Sequence, residues 1–570
     1  MVGTYAAVLA VCGASLAIGQ AALMLSGVRR WSWLSPAVGL ALLCAVCWGT
    51  VRLPGEGIAS AVVVLLLVVL SVAYLWGRLR DGEGVLWLGI PVALAALLAT
   101  ALPFIAEGHF GILGTSFNPD MSQHLLATDR LAHGDPSQLL RQGYPLGPHS
   151  IVVALDKGLG VGIVQGFTGL TIAVAVIASL TALAAFREQP PWSAVPAALV
   201  LGLTYMVASY FAQGSFKETM QALFFLAFVL ALRESSRNVD WRESPLRLVP
   251  AALLAVGSVY TYSFPGLIWL GAAFVVWAIL ERSLPLRPAL LGLGVFAVLV
   301  APEIGRMIDF HSFETFDPDG PGLGNLFGQI SPFEGLGIWP SGDFRLSPGD
   351  GAVPALGYYA GAAFATILLV YGLALCWRRR ERALIAGLTA AALAYAAARI
   401  GGTPYTAAKA IEVGAPLAVL VILLPLLRRP VAWLYLAAAA GCSLLALANA
   451  PVGPSSYSPA LTGLRDDVGE GPTLVLASRQ LLADEHGTPY ISWELRGGRV
   501  CIETAEEAGS DPPPGVRFVV AESSGSRPPF AGLRRVRGSP PYVLWERPGA
   551  HGQSPCSLIA VRQARQGAPR

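Results

Sequence analysis

The chain has 570 residues, 54% of them hydrophobic and only 13% charged, a balance that lies outside the soluble globular class. Its formal net charge of +3 is too small to point to nucleic acid as a partner. None of the seven cysteines joins a Cys/His cluster with zinc spacing, so a zinc site is not expected.

Runs such as Ala61 to Trp76, Val85 to Ile105, Phe224 to Leu232 and Ala360 to Cys376 are continuously apolar rather than alternating. Continuous runs of that length form helices crossing roughly 30 Å of hydrocarbon and argue against a barrel. The expected fold is therefore an all-α polytopic bundle in a lipid bilayer. The opening MVGTYAAVLAVCGASLAIGQ lacks the basic n-region of a signal peptide, which predicts a retained first span. In chain order the candidate spans are 4–28, 34–52, 57–77, 84–106, 161–186, 192–213, 216–233, 246–262, 264–281, 287–304, 353–376, 381–399, 407–427 and 430–449. That is about fourteen, or thirteen if Ser263-Phe264-Pro265-Gly266 is a kink rather than a turn. Cys12, Cys44, Cys47, Cys376 and Cys442 fall inside apolar segments, as small buried hydrophobes do.

Arginine sets the expected orientation. Arg29-Arg30, Arg78 and Arg80, Arg187, the group Arg233 to Arg247, Arg282 and Arg287, Arg378 to Arg382, and Arg428-Arg429 all fall in alternate connections. Such basic, short loops face the cytoplasm. Reading 246–281 as a single span would scramble this alternation, so two helices are expected there. The other connections, which include every long one (107–156, 306–352 and 450 onward), then face out, together with the N-terminus. Lys157, Lys217 and Lys409 all fall on this outer side, either as interfacial lysines that snorkel or as ammonium groups that meet a lipid phosphate.

Polar chemistry is densest from Gly114 to His149. Asn118-Pro119 favours a turn into a helix, on which Asp120 and His124 lie one turn apart with Gln123 beside them. Asp120 is a candidate general base for a hydroxyl nucleophile, or a helix N-cap. His124 would orient it, bind substrate or share a divalent cation with it; two ligands make only a weak metal signal, and no cofactor is otherwise implied. Tyr144 and His149 flank a proline elbow that turns the chain back towards the bilayer, Tyr144 as substrate contact or aromatic-belt residue, His149 as phosphate or sugar contact or helix cap. Ser215 to Glu218 fits a capping box in which Glu218 returns to the Ser215 backbone, which puts Lys217 in the first turn of a helix whose N-terminus favours anions. Arg306, Arg399 and Lys409 stand at other outer span ends and would complete a phosphate clamp. Glu412, one turn from Lys409, is expected to pair with it because an isolated charge there is costly. Phe333 and Trp339 would pack their loop or stack on a sugar or isoprenoid.

From Tyr457 onward TLVLAS, YISWEL, GRVCIE, VRFVVAES and YVLWER read as strands and RQLLADEHG as a short helix, a small extracytoplasmic α/β or α+β domain. In an oxidising compartment Cys501 and Cys556 would pair.

With these residues in view, the chain resembles the C-type (GT-C) membrane glycosyltransferases. The resemblance rests on Asn118-Pro-Asp120-Met-Ser-Gln-His124 in the first large outer loop and on Tyr144-Pro-Leu-Gly-Pro-His149 leading into the next span. The many-helix body with a C-terminal outer domain adds to it. It implies a catalytic body over 84–450 with outer loops 107–160 and 306–352 and a soluble domain over 451–570; the transmembrane helices over 1–83 are additional to the family's pattern. It also implies an inner-membrane enzyme that moves a sugar, with inversion, from a polyprenyl-phosphate donor to a glycan, lipid or protein acceptor. Asp120 maps to the family's acidic loop residue and Glu218 to a second acidic group, with the lipid phosphate on Lys217, Arg306 or Lys409. The rival classes are a transporter or lipid flippase, and a scaffold displaying the C-terminal domain.

Overall fold

The computed structural model describes residues 1–28, 30–78, 83–115, 117–118, 120–133, 139, 142–237, 243–282, 285–312, 322–469, 471–478, 480, 488–497, 499–504, 515–523 and 530–550. Four helices come first: α1 (Val2–Leu25), α2 (Ser35–Thr50), α3 (Glu56–Leu75) and α4 (Glu83–Ala106). The first long loop contributes α5 (Asp120–Ala132) and α6 (Gly147–Leu159). Then follow α7 (Ile163–Phe186), α8 (Pro191–Gly202), α9 (Tyr205–Ala212), α10 (Phe216–Arg237), α11 (Val249–Tyr262), α12 (Leu267–Glu281), α13 (Leu286–Val300) and the short α14 (Ile304–Asp309). After the second long loop come α15 (Ala355–Arg378), α16 (Arg382–Gly401), α17 (Pro404–Leu426) and α18 (Pro430–Ala448).

Every expected span thus holds a helix. Among the described residues ten helices are long and apolar enough to cross a membrane, and α8 with α9 makes an eleventh, bent by 50°. The bend lies where Leu203 leaves helical geometry and Thr204 caps α9 by accepting from the Val207 N–H, so that a new helix start is satisfied. α2 and α11 are apolar but shorter. Ser263 adopts φ 62, a left-handed value that ends a helix of L-residues, so the Ser263 to Gly266 segment separates two helices.

The chain divides into two compact units, Met1–Asn118 with Gly134–Val452, and Pro119–His133 with Gly453–Arg570. In the first, α7, α10 and α17 are almost wholly buried, while α3 keeps a broad apolar exposed face. α1 and α2 pack backbone to backbone: a Cβ added at Gly39 would meet the Ser15 carbonyl oxygen at 1.8 Å, and one at Gly19 the Ser35 carbonyl oxygen at 1.8 Å. Helices in lipid gain their association from such close van der Waals approach, which small residues permit. Cys44 and Cys47, spaced as CxxC within α2, are buried free thiols, as are Cys376 and Cys442.

One end of this unit is an arginine network. Arg233 donates to Glu381 through Nε at 2.9 Å and Nη2 at 3.0 Å, and Arg237 and Arg382 bond Glu381 and Glu281. Arg187 lies 3.2 Å from Glu234. Residues from separate basic connections thus meet at one end of the bundle, which is the grouping the alternating pattern requires.

The second unit is built on a five-stranded mixed sheet of β1 (Pro472–Ala477), β2 (Arg499–Thr504), β3 (Phe518–Glu522), β4 (Arg534–Ser539) and β5 (Tyr542–Glu546), in the order β2-β1-β3-β5-β4. β1 is parallel to β2 and β3, and β5 is antiparallel to β3 and β4. Two expectations change here. YISWEL is not a strand; its residues lie in and just after a helix, Thr488–Glu494, because Pro489 in the first turn favours a helix start. The loop helix α5 belongs to this unit and packs on Thr488–Glu494; Met121, Leu125, Thr128 and Ala132 are among its buried residues, at i, i+4, i+7 and i+11. The expected helix RQLLADEHG lies almost entirely outside the described residues, as does Cys556, so the disulfide with the buried Cys501 stands as a proposal.

The Gly39 contact is testable. Gly39→Leu should lower stability by about 1–3 kcal/mol or more, read as thermal unfolding in detergent. Gly49→Leu on the same helix, where nothing lies within 4 Å, should change it by less than about 0.5 kcal/mol. Equal effects would contradict the packing.

Candidate functional site

Opposite the arginine network, the N-terminal ends of α10 and α17 bring together residues far apart in the chain. Lys409 Nζ lies 2.9 Å from Glu218 Oε1 and 4.2 Å from the Tyr405 ring centroid. Both side chains are nearly buried, 13% and 5% exposed. An ammonium and a carboxylate in such a place hold one another, because each alone would be strongly penalised. This corrects two expectations: Glu218 turns to Lys409 rather than serving only as a capping-box acid, and Lys409 does not pair with Glu412. Glu412 is fully buried about two turns into α17, and neither of its carboxyl oxygens has a hydrogen-bond partner among the described residues. Tyr210 and Tyr262 lie within electrostatic reach of Glu218, Lys409 and Glu412, and the buried Tyr210 hydroxyl is also without a partner.

Beside this pair, Lys217 Nζ stands 4.2 Å from the centroid of the Tyr144 ring, a cation–π distance. Tyr144 meets His149 edge-on at 6.3 Å and Phe310 at 5.9 Å. His149 is fully buried between Phe167 and Phe216, and burial pushes its imidazole down to about 3, so it is neutral and offers no cation to a phosphate. The proline elbow accordingly packs Tyr144 and His149 into one aromatic cluster under Lys217.

Arg306 has different work. It donates to Glu303, to the Gly143 carbonyl at 2.8 Å and the Val259 carbonyl at 3.2 Å, and lies 3.4 Å from Ser263 Oγ. Glu303 in turn accepts from Trp48 Nε1 at 2.8 Å. The guanidinium braces α11, α14 and the elbow. Arg399 is exposed and bonds Gln329. Trp339 is buried edge-on against Tyr358 at 5.1 Å, whereas Phe333 is exposed.

In the second unit Asp120 opens α5 and is exposed, as is Gln123, while His124 one turn on is buried. Asp129 on the same helix, not among the residues expected from the sequence, is buried, its Oδ2 has no hydrogen-bond partner among the described residues, and it lies near Arg465. Among the described residues no three His, Cys, Asp or Glu side chains are arranged to hold a metal ion.

A different residue braces the second long loop. Arg345 is bidentate to Asp343, stacks on Phe117 and Phe327 at 4.2 and 4.6 Å, and with Asn325 bonds the Phe117 carbonyl. It thereby fixes the backbone three residues before Asp120 in sequence.

No family model and no curated protein matches the chain. Among solved structures it is similar to ArnT from Cupriavidus metallidurans in the apo state, at 14% identity and a TM-score of 0.45, over 83% of this chain and 100% of that one. The chemistry is therefore argued from this chain's own residues.

The buried pair predicts strong coupling. Lys409→Met and Glu218→Leu should each destabilise the protein by about 3–5 kcal/mol, and the two combined by clearly less than the sum. Additive losses in detergent unfolding would show that the pair contributes no joint stability.

Proposed function

We infer that this multi-pass membrane protein is a glycosyltransferase using a polyprenyl-phosphate-linked sugar, with Asp120 as general base. The observation that carries the reading is the gathering of Lys217, Glu218, Lys409 and Glu412 with tyrosines at the bundle end away from the arginine network. That is the end the arginine bias assigns to the extracytoplasmic face. A lipid-linked donor keeps its chain in hydrocarbon and its phosphate at such a level, and cations preorganised in a low dielectric act most strongly on charge that develops there.

In the proposed reaction the exposed Asp120 carboxylate takes the proton of an acceptor hydroxyl. The oxygen bonds to the anomeric carbon from the face opposite the phosphate, and the anomeric C–O bond breaks with its electron pair leaving on the lipid phosphate. One displacement inverts the anomeric centre through an oxocarbenium-like transition state. Lys217 and Lys409 stabilise the departing phosphate, for which Lys409 exchanges Glu218 as its partner. His149 and Arg306 hold the elbow rather than the charge.

A second reading, a proton-coupled carrier of a lipid-linked sugar, rests on Glu412, since a buried carboxyl within a spanning helix is characteristic of proton pathways. The two readings diverge on mutation. Asp120→Asn should lower sugar transfer by about 10²–10⁴-fold while the protein still inserts and elutes as a single species, and unchanged turnover would remove Asp120 from the mechanism. Glu412→Gln should leave transfer largely intact; loss of pH-driven lipid movement with no transferase activity in the parent would establish the carrier instead.

A further inference from the structure

α15 and α16 both pack against α17. On the α15 side the approach is backbone-close, since a Cβ at Gly372 would meet the Val421 carbonyl oxygen at 2.3 Å. Between α15 and α16 an open groove of about 750 Å³ runs towards the arginine end, lined by Val370, Leu373, Trp377, Ile385, Leu388 and Leu393 among others. Its lining is almost entirely apolar, and Trp377 at its rim is 65% exposed.

The rim is cationic. Arg378, Arg379 and Arg380 are consecutive and exposed, and Arg429 stands over the Tyr371 ring of α15 at 5.2 Å. The nearby carboxylates are committed elsewhere, Glu381 to Arg233 and Arg237 and Glu281 to Arg382. Arg378 lines the groove itself, and among the described residues none of Arg378, Arg379, Arg380 and Arg429 has a carboxylate within ion-pair distance. An apolar trough that ends in unpaired guanidinium groups complements a molecule with an acyl chain and an anionic phosphate head, which arginine grips bidentately. A zwitterionic lipid would bring its own cation to the same rim.

The groove is separate from the candidate transfer site. Lys409 and Arg429 lie near opposite ends of α17, about 30 Å apart at 1.5 Å per residue. The rim also lies at the level of the leaflet that the arginine bias marks as cytoplasmic, where anionic lipids carry the surface charge.

We propose that the groove between α15 and α16 is a binding site for one anionic phospholipid of the cytoplasmic leaflet. Native mass spectrometry of the full-length protein, titrated separately with phosphatidylglycerol, phosphatidylcholine and inorganic phosphate, tests this. The wild type should retain one phosphatidylglycerol at least about tenfold more tightly than phosphatidylcholine, the weight of one or two juxtamembrane arginines. The triple variant Arg378→Gln, Arg379→Gln, Arg380→Gln should lose that preference while still binding phosphatidylcholine. Ala392→Trp, which fills the groove, should lose the retained lipid; if it does not fold, the arginine variant decides alone. Equal retention of the two phospholipids by the wild type would overturn the proposal. So would binding of inorganic phosphate as tight as that of the lipid, or a dimer peak that disappears with Ala392→Trp.

Discussion

Inside a bundle of aliphatic helices the Lys409 ammonium meets the Glu218 carboxylate at 2.9 Å, and hydrocarbon leaves neither group an alternative. A charge in that medium must be paired, drawn to an interface or neutralised. α10 and α17 must therefore cross with their N-terminal ends side by side. The same constraint places Arg233 and Glu381 together at the far end, in a bidentate contact that closes the arginine network. Between these two levels the core is small, apolar and close-packed, as at Gly19 and Gly39. The fold is thus read as two ionic levels joined by helices.

The two levels have opposite characters. Arginines at one end are matched to glutamates or exposed. At the other end the groups are few, buried and tuned by neighbours: an ion pair, an ammonium over a tyrosine face, a neutral imidazole and a carboxyl with no hydrogen-bond partner. Such an arrangement exceeds what packing requires, since aliphatic residues would fill the same volume more stably. Its chemistry suits a ligand that brings a phosphate to the level of Lys217 and Lys409.

Much of the architecture was legible in the sequence because it follows from single-chain patterns. Continuous apolar runs marked a helix in each expected span, though not the loop helices α6 and α14, and alternation of arginines grouped the connections now joined by Arg187, Glu234, Arg233 and Glu381. Tyr144, His149, Lys217, Glu218 and Lys409 were chosen as polar residues at span ends, and they converge. What was not legible depends on distance along the chain. Lys409 has Glu412 one turn away and Glu218 on another helix, and local spacing favoured the wrong partner. Arg306 read as an outer cation because two of its acceptors, the Gly143 and Val259 carbonyls, belong to other segments, although Glu303 stands only three residues away. YISWEL is too short for periodicity to decide between strand and helix, and the membership of α5 in the second unit follows from tertiary packing on Thr488–Glu494, which no loop pattern encodes.

The central claim is that the charged cluster serves bond formation at the outer face rather than passage across the membrane. Its most direct measurement follows a radiolabelled sugar on a polyprenyl-phosphate carrier in vesicles holding the purified protein in one orientation, with acceptor supplied on the side of the bundle end that holds Lys217 and Lys409. The account predicts a labelled acceptor and released lipid phosphate, formed only from donor in the leaflet on that side. Movement of the intact labelled lipid between leaflets, with no labelled acceptor, would contradict it.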